Sequence, residues 1–307
     1  MDEVKIFSPA TVANVSCAFD ILGFALEEVG DEMIFQKTSQ KGVVIEMTGN
    51  SDLSTVPEEN VAGVVALAML KKVQPSFGVK MTIKKGIKPG SGIGSSAASA
   101  SGAAFGMNKI LGDIFSMQEL VEFSMLGETL ASGVPHADNT APALYGGFTL
   151  VRSLEPLDVV TIPSPKNLFV SILHPQIEVK TIYARKILKK SVLLKDAVVQ
   201  WGNIAGLISG LFKEDYALIG RSLQDIIVEP IRSILIPLFP EVKKAAVEAG
   251  ALGSGISGSG PSMFALSEGK ETAIAVAEAM KQVYADSGID FEIHVSGINA
   301  QGVKVIH

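Results

Sequence analysis

The segment Lys88–Ser99 constrains this chain more than any other, because it places glycines at three alternate positions, Gly90, Gly92 and Gly94. A glycine has no Cβ, so the backbone around it can turn its N–H groups toward one point and approach an anion closely. Isoleucines flank and interrupt the segment, which a flexible Gly/Ser linker would not need. The sequence therefore predicts an ordered loop that binds phosphate or a similar oxyanion.

Two serines and a run of small residues follow these glycines. Ser95 and Ser96 lie where a helix would begin, and Ala97–Ala104 is a run of small residues that predicts a tightly packed helix. The free N–H groups and the dipole of that helix would face the same anion. No lysine follows Gly94 as in a Walker A loop, and the glycine spacing does not fit GxGxxG. We therefore expect a third type of phosphate loop.

The composition favours a cytoplasmic globular protein. The chain has 307 residues, of which 47% are hydrophobic and 19% are charged. No apolar run reaches the ~18 residues of a membrane span. A single cysteine, Cys17, excludes an intrachain disulfide and fits a reducing compartment. Because the net charge is −6 and the four histidines lie far apart, we expect no nucleic-acid partner and no histidine metal cluster.

Apolar periodicity predicts strands and helices that mix without regular βαβ alternation. Strands are expected at Val4–Phe7, Met33–Thr38, Val43–Met47, Val79–Lys84, Tyr145–Val151, Leu168–Leu173, Ser262–Leu266 and Phe291–Ser296. Helices are expected at Asn60–Val73, Ala97–Leu111, Met117–Leu130, Val192–Leu211, Asp215–Val228, Glu241–Ala249 and Lys270–Tyr284. A proline-rich segment, Ser153–Pro165, marks a change of composition. We therefore expect an α+β protein of two domains, residues 1–155 and 156–307.

Three separated segments resemble the motifs of the GHMP kinases (galactokinase, homoserine, mevalonate and phosphomevalonate kinases), in that family's order. They are Ser8–Asp20 near the start, Pro89–Ser99 in the centre and Gly253–Pro261 in the second half. Together they span nearly the whole chain. The resemblance implies a two-domain α+β fold with the nucleotide site between the domains, and a kinase that uses ATP and Mg²⁺.

Further segments resemble the homoserine kinases within that family. These are Ala13-Asn14 with Phe19-Asp20, His136–Asn139, Ala184-Arg185 and Pro230–Arg232. The chain departs from them at Ser16–Ala18, where those enzymes usually carry Gly-Pro-Gly. The resemblance implies phosphorylation of L-homoserine to O-phospho-L-homoserine, a step of threonine biosynthesis, by a homodimer.

The same resemblance assigns an ATP site to the glycine segment and to the start of a helix. The implied ATP-binding residues are Asn60, Val61, Pro89, Gly90, Ser91, Gly92, Ile93, Gly94, Ser95 and Ser96. For Asn60, an ordinary helix N-cap explains the sequence equally well.

A Mg²⁺ ion that bridges phosphate oxygens is usually held by one or two protein oxygens. The resemblance gives that role to Ser96 and Glu128 and counts both as catalytic. The sequence alone would favour a solvated glutamate at position 128, whereas the resemblance favours the metal ligand.

Five side chains are implied in binding homoserine: Asn14, Asp20, His136, Arg185 and Arg232. Arginine forks bind carboxylates bidentately, and Asp20 could accept hydrogen bonds from the ammonium and hydroxyl groups. Asn14 and Asp20 could instead stabilise their own turn, and Arg185 could belong to a solvated basic face. Arg232 lies in an otherwise apolar segment, where an unpaired charge would be costly.

Asn139, the third implied catalytic residue, stands where many GHMP kinases carry an aspartate that can act as a base. An amide does not take up the hydroxyl proton. We therefore expect the proton to pass directly to the γ-phosphate, since a loose transition state asks little of a base. Asp138 as the base is the weaker hypothesis, because its side chain should point away from that of its neighbour.

Two other functions stay open at this point. The chain could phosphorylate another small hydroxyl compound, such as mevalonate or a sugar, or it could be a non-catalytic relative that binds a metabolite. The presence of both Ser96 and Glu128 favours catalysis, because a sensor needs no Mg²⁺-bridged transition state. Trp201 and its aliphatic neighbours predict either core or an interface.

Overall fold

A computed structural model of the protein describes residues 1–49 and 52–307. Two β-sheets form the framework of these residues. The strands in these ranges are β1 (Glu3–Ala13), β2 (Leu22–Thr38), β3 (Val43–Thr48), β4 (Gly78–Lys84), β5 (Phe148–Leu154), β6 (Leu157–Ile162), β7 (Leu168–Pro175), β8 (Gly253–Ile256), β9 (Met263–Glu268), β10 (Phe291–Gly297) and β11 (Lys304–Val305). The first sheet has the order β11-β1-β2-β4-β3, with β5 on β2 and β6 on β5. The second has the order β10-β7-β9-β8.

Helices cover both sheets. They are α1 (Val61–Val73), α2 (Ser95–Leu111), α3 (Met117–Ser132), α4 (Thr140–Tyr145), α5 (Thr181–Lys186), α6 (Leu194–Lys213), α7 (Tyr216–Ser222), α8 (Glu229–Arg232), α9 (Phe239–Glu248) and α10 (Lys270–Ala285). Local sequence sets several of their ends. For example, Ser116 and Glu119 form a capping box that begins α3.

The central helix α2 is almost entirely buried between the first sheet and helices α1 and α3. Its small residues permit this position. A Cβ at Gly106 would lie 2.1 Å from a ring atom of Phe35, and one at Gly102 would lie 2.5 Å from the sulfur of Met33. The run of alanine, serine and glycine therefore brings the N-terminus of α2 close to the sheet, where the site is built.

A second core lies between the two sheets and under α6 and α7, where Phe24, Phe148 and Phe264 meet. A third core packs α9 and α10 against the second sheet. The mixed α+β architecture expected from the sequence is confirmed. In the described residues no helix is both long and apolar enough to cross a membrane.

The expected helix over Asp215–Val228 is wrong in its second half, because α7 ends at Ser222. The carboxylate of Asp225 accepts hydrogen bonds from the N–H groups of Ile227, Val228 and Glu229, which starts a new turn there. The division at residue 155 stays a prediction. Position 155 lies in the turn between β5 and β6, and the chain passes to the second sheet between Ile162 and Leu168.

Candidate active site

A cleft of about 390 Å³ lies where the glycine loop (Pro89–Gly94), the start of α2 and the loop after β8 meet. Most residues implied by the sequence line it. They are Asn14, Asp20, Val61, Pro89, Gly90, Gly92, Gly94, Ser95, Ser96, Glu128, His136, Asn139, Arg185 and Arg232. Residues more than 200 positions apart in the sequence therefore share one cavity.

Three expected nucleotide residues do not line this cleft. Ser91 and Ile93 belong to the glycine loop but are buried, and the backbone oxygen of Ile93 accepts a hydrogen bond from the N–H of Thr11 at 3.1 Å. The side-chain oxygen of Asn60 caps α1 through the N–H of Ala62 at 2.9 Å. The capping explanation of Asn60 therefore holds, and its contact with a nucleotide stays a prediction.

All three glycines of the loop have left-handed backbones, with φ of +75° at Gly90, +83° at Gly92 and +71° at Gly94. Such angles are strained for residues with a side chain. They turn the chain into α2, which begins at Ser95 as expected from the sequence. The loop therefore precedes a helix N-terminus, an arrangement that favours anions.

The second glycine-rich segment (Gly253–Pro261) supports the loop from the other sheet. The Ser257 hydroxyl donates to the backbone oxygen of Gly92 at 2.8 Å, and the Ser262 hydroxyl donates to that of Ser91 at 2.6 Å. A Cβ at Gly92 would lie 2.5 Å from the backbone oxygen of Gly260. The two glycine motifs thus pack directly on each other, which the sequence did not predict.

Glu128 is not the solvated glutamate that its position alone would favour, because only 3% of it is exposed. Burial raises the pKa of its carboxyl group, while the charge of His136 and the neighbouring Ser96 hydroxyl act in the opposite direction. Its Oε1 atom is buried and has no hydrogen-bond partner among the described residues. An orphaned carboxylate oxygen beside a serine hydroxyl fits a hard cation such as Mg²⁺.

In the described part of the chain, no group of three or more His, Cys, Asp or Glu side chains could hold a metal on its own. Mg²⁺ characteristically takes few protein ligands and completes its shell with water and phosphate oxygens. The pair Ser96 and Glu128 therefore fits a metal that arrives with a nucleotide.

His136 lies between two buried carboxylates. Its Nε2 atom is 3.4 Å from Glu128 Oε2, and its Nδ1 atom is 3.3 Å from Asp138 Oδ1. Burial by itself lowers the pKa of His136, but Asp138 and Glu128 outweigh that effect and raise the pKa to about 9. At neutral pH the ring of His136 is therefore a cation between the two carboxyl groups.

A buried ion pair beneath the glycine loop was missed by the sequence reasoning. Lys85 lines the cleft, pairs with Asp31, and donates to the backbone oxygen of Ser95 at 3.0 Å and to Ser99 Oγ at 2.9 Å. Burial lowers the pKa of Lys85, and the Asp31 carboxylate opposes this. The only sequence signal was a lysine that directly follows the strand leading to the loop.

Asn139 is oriented by a neighbour that the sequence also did not reveal. The Thr11 hydroxyl donates to Asn139 Oδ1 at 2.7 Å, so the oxygen of the amide is occupied. The NH₂ group of Asn139 is then the part available to the cleft, and it can donate but not accept. This arrangement is chemically unsuited to general-base catalysis by Asn139.

Asp20 and Arg185 form a bidentate ion pair, with N–O distances of 2.7 and 2.8 Å. The Asp20 side chain is 33% exposed and that of Arg185 is 26% exposed. Arg185 therefore lies at the border of the cleft and does not belong to a solvated basic face. The Nε atom of Arg185 is buried and finds no hydrogen-bond partner within residues 1–49 and 52–307. This guanidinium therefore keeps a donor for a further acceptor.

Arg232 is 3% exposed and lies over the ring of Phe19, with its guanidinium carbon 4.8 Å from the ring centroid. It donates from Nε to the backbone oxygen of Ala184 and from Nη1 to that of Gly258, both at 3.1 Å. In the described part of the chain its Nη2 group makes no hydrogen bond, so this group can donate to another acceptor. The two arginines and Asp20 thus bring both signs of charge to one end of the cleft.

Comparison with known proteins decides the family. The family model of the GHMP kinases N-terminal domain matches residues 60–147, and that of the GHMP kinases C-terminal region matches residues 207–286. The chain belongs to the GHMP kinase family. As a member of this kinase family it uses ATP, and both matched segments contribute residues to the cleft described above.

Full-length relatives of this GHMP kinase are homoserine kinases. The homoserine kinase of Chlorobium phaeobacteroides (strain BS1) is 44% identical over an alignment of 320 positions, which covers 100% of each protein. That of Methanococcus vannielii is 41% identical over 92% of this chain and 94% of the relative. These alignments extend the similarity beyond residues 60–147 and 207–286.

Solved structures agree with this result. The crystal structure of homoserine kinase from Cytophaga hutchinsonii is 50% identical, with a TM-score of 0.96 over 100% of this chain and 98% of that chain. Mevalonate kinase from L. major, solved with R-mevalonate, is 16% identical with a TM-score of 0.72 over 96% of each chain. That second likeness concerns the fold alone.

Proposed function

We propose that this GHMP kinase transfers the γ-phosphoryl group of ATP to the side-chain hydroxyl of L-homoserine, giving O-phospho-L-homoserine and ADP in threonine biosynthesis. The observation that carries the proposal is the opposite-charge cluster of Asp20, Arg185 and Arg232, which faces the glycine loop across one cleft. Its full-length relatives named homoserine kinase support the same substrate.

The nucleotide phosphates would lie on the glycine loop and the first turn of α2. The backbone N–H groups of Gly92 and Gly94–Ser96 and the helix dipole favour the polyphosphate, and Lys85, paired with Asp31, holds the first turn of α2 through the backbone oxygen of Ser95. Ser96 and Glu128 would hold Mg²⁺, which neutralises charge on the phosphate oxygens when bound. The orphaned Oε1 of Glu128 supports this assignment.

Homoserine is a zwitterion, and the charge cluster is suited to both of its ends. The free donors, Arg185 Nε and Arg232 Nη2, would bind the α-carboxylate, while Asp20 would accept from the α-ammonium group. In the structure, Asp20 accepts one hydrogen bond from Nη1 and one from Nη2 of Arg185. The substrate ammonium group must therefore share an Asp20 oxygen with Arg185 or replace one of these bonds. Asn14 would hold Asp20 in place, because its Oδ1 atom accepts a hydrogen bond from the backbone N–H of Asp20 at 2.9 Å.

The transfer step would depend on positioning rather than on a protein base. A bond forms between the homoserine hydroxyl oxygen and the γ-phosphorus, and the bond from that phosphorus to the β–γ bridging oxygen breaks. The hydroxyl proton passes to the transferred phosphoryl group. Asn139 would donate its NH₂ group to the reacting oxygens, because its carbonyl oxygen is held by Thr11.

The proposed enzyme works in the cytoplasm as a homodimer. Support for the dimer comes from the outward face of α6, where Leu194, Val198 and Trp201 are 71%, 55% and 58% exposed. Exposed apolar side chains on one helix face are typical of a surface that a second copy covers. Light scattering of the wild type and of Trp201→Lys tests this proposal, which predicts a dimer for the first and a monomer for the second.

A panel assay tests the function. Purified protein is given ATP, Mg²⁺ and one acceptor at a time, and ADP release is measured with homoserine, mevalonate and galactose. We expect rapid release with homoserine and release close to the acceptor-free rate with the other two. Faster turnover of mevalonate or galactose than of homoserine would contradict the proposed substrate. If none of the three acceptors increases ADP release, the proposed catalysis is contradicted.

A further inference from the structure

Gln200 is a buried amide whose contacts join two parts of the homoserine end of the cleft. It lies on α6 and is 5% exposed. Its NH₂ group donates to the backbone oxygen of Cys17 at 2.7 Å and to Asp225 Oδ1 at 2.9 Å. Its carbonyl oxygen accepts from the N–H of Ile226 at 3.1 Å. Both ends of the amide are therefore used, although Gln200 does not line the cleft.

The first segment that Gln200 holds is the turn that carries Asn14 and Asp20. Four residues of this turn, Asn14, Val15, Ser16 and Asp20, have positive φ angles of 70°, 38°, 61° and 62°. Such backbones persist only where the surroundings fix them. The hydrogen bond to Cys17, in the middle of the turn, is one of these restraints.

The second segment begins at Asp225 and ends at Arg232. Asp225 accepts hydrogen bonds from the N–H groups of Ile227, Val228 and Glu229 at 2.9, 3.0 and 2.9 Å. These bonds fix the start of α8, whose last residue is Arg232. Gln200 therefore reaches Arg232 through Asp225 and one short helix.

The two segments also meet at their other ends. The backbone oxygen of Gly258 accepts from Asn14 Nδ2 at 2.7 Å and from Arg232 Nη1 at 3.1 Å. The contacts form a closed ring, from Cys17 through Asn14, Gly258 and Arg232 to Asp225 and back through Gln200. Gln200 closes this ring without lining the cleft itself.

We propose that Gln200 is a positioning residue that sets the distance between the Asp20 turn and Arg232, and thereby the affinity for the amino-acid substrate. The proposal rests on the function proposed above. Among residues 1–49 and 52–307, no hydrogen bond joins Gln200 to the nucleotide end of the cleft, which is built from the glycine loop and Glu128. A change at this position should therefore affect the two substrates differently.

Gln200→Met tests the proposal, because methionine keeps the length and bulk of the side chain but removes its hydrogen bonds. We expect the KM for homoserine to rise about tenfold, and the KM for ATP to stay within about twofold of the wild type. Asn203→Ala is the matched control, since Asn203 is half-buried, lies one turn along α6 and donates to the backbone oxygen of Gln224 at 2.8 Å. It should leave both KM values unchanged.

Cys17 supplies a second readout that does not depend on turnover. Burial raises the pKa of its thiol to about 12, so the wild-type thiol should react slowly with a maleimide. In Gln200→Met the released turn should expose the thiol and raise the labelling rate at least about tenfold, whereas Asn203→Ala should label like the wild type. If Gln200→Met does not fold, Asp225→Asn takes its place, because it keeps the size of the side chain. It should raise the KM for homoserine and the labelling rate of Cys17 in the same way.

The outcomes separate this proposal from the proposed function. Equal rises in the two KM values, or a labelling rate that Gln200→Met leaves unchanged, would overturn the positioning role. A wild-type protein that phosphorylates no homoserine would instead overturn the proposed function, and the labelling rates would still report whether Gln200 holds the turn.

Discussion

Replacement of Gly92 by alanine should destabilise the protein far more than the same replacement at Gly90. Both residues have left-handed backbones, with φ of +83° and +75°. An alanine in this region costs about 1–2 kcal/mol at either position. The difference must therefore come from what the added Cβ meets.

At Gly90, that Cβ would first meet the side chain of Glu178, at 3.1 Å, and this exposed side chain can move away. At Gly92, it would lie 2.5 Å from the backbone oxygen of Gly260 and 3.0 Å from that of Ser257. The glycine loop would have to separate from the second glycine motif, and such overpacking adds about 1–3 kcal/mol. We expect losses of about 1–2 kcal/mol for Gly90→Ala and about 2–5 kcal/mol for Gly92→Ala.

Urea unfolding of the two variants and the wild type measures these losses, and calorimetry measures ATP and homoserine binding. Gly92→Ala should also weaken ATP binding more than homoserine binding, because the displaced loop carries the phosphate-facing N–H groups. Equal unfolding free energies for the two variants, or unchanged ATP affinity in Gly92→Ala, would refute the packing of the two motifs as the reason for glycine here.

Four further changes have defined outcomes. Glu128→Gln should stay folded by circular dichroism but lose about 100-fold or more of its turnover, and wild-type turnover at limiting Mg²⁺ would contradict the metal contact. Asn139→Ala should lose less than about 100-fold in kcat, and a loss near 10⁴-fold with unchanged binding would indicate a general base. Arg232→Leu should raise the KM for homoserine about tenfold or more and leave that for ATP nearly unchanged; parallel rises would argue against carboxylate binding. Burial lowers the pKa of His174 from 6.5 to about 4. Between these pH values His174 is therefore protonated in the unfolded chain but neutral in the folded protein. Stability should fall by about 3 kcal/mol as the pH drops through this range, and unfolding curves of His174→Asn should show a smaller fall.

Local sequence predicted the glycine loop and most helices because their causes are local. The glycine spacing before Ser95, the small residues of α2 and the Ser116 cap all act within a few positions of the chain. The helix over Asp215–Val228 was predicted too long, because apolar periodicity does not reveal that the Asp225 side chain takes over the backbone N–H groups.

Features of the site that depend on distant partners could not be predicted in this way. The Lys85–Asp31 pair joins residues 54 positions apart, and the bond from Thr11 to Asn139 spans 128 positions. Burial of Glu128 likewise depends on how α3 packs against α2. The family resemblance placed Glu128 in the site, but only the three-dimensional arrangement reveals its orphaned oxygen and its neighbour His136.

A competition experiment tests the central claim most directly. The protein is incubated with ATP, Mg²⁺ and an equimolar mixture of L-homoserine and mevalonate, and the phosphorylated products are quantified by ³¹P NMR. The charge cluster of Asp20, Arg185 and Arg232 predicts O-phospho-L-homoserine as the dominant product, because mevalonate has no ammonium group to meet Asp20. Phosphomevalonate as the dominant product would contradict the account.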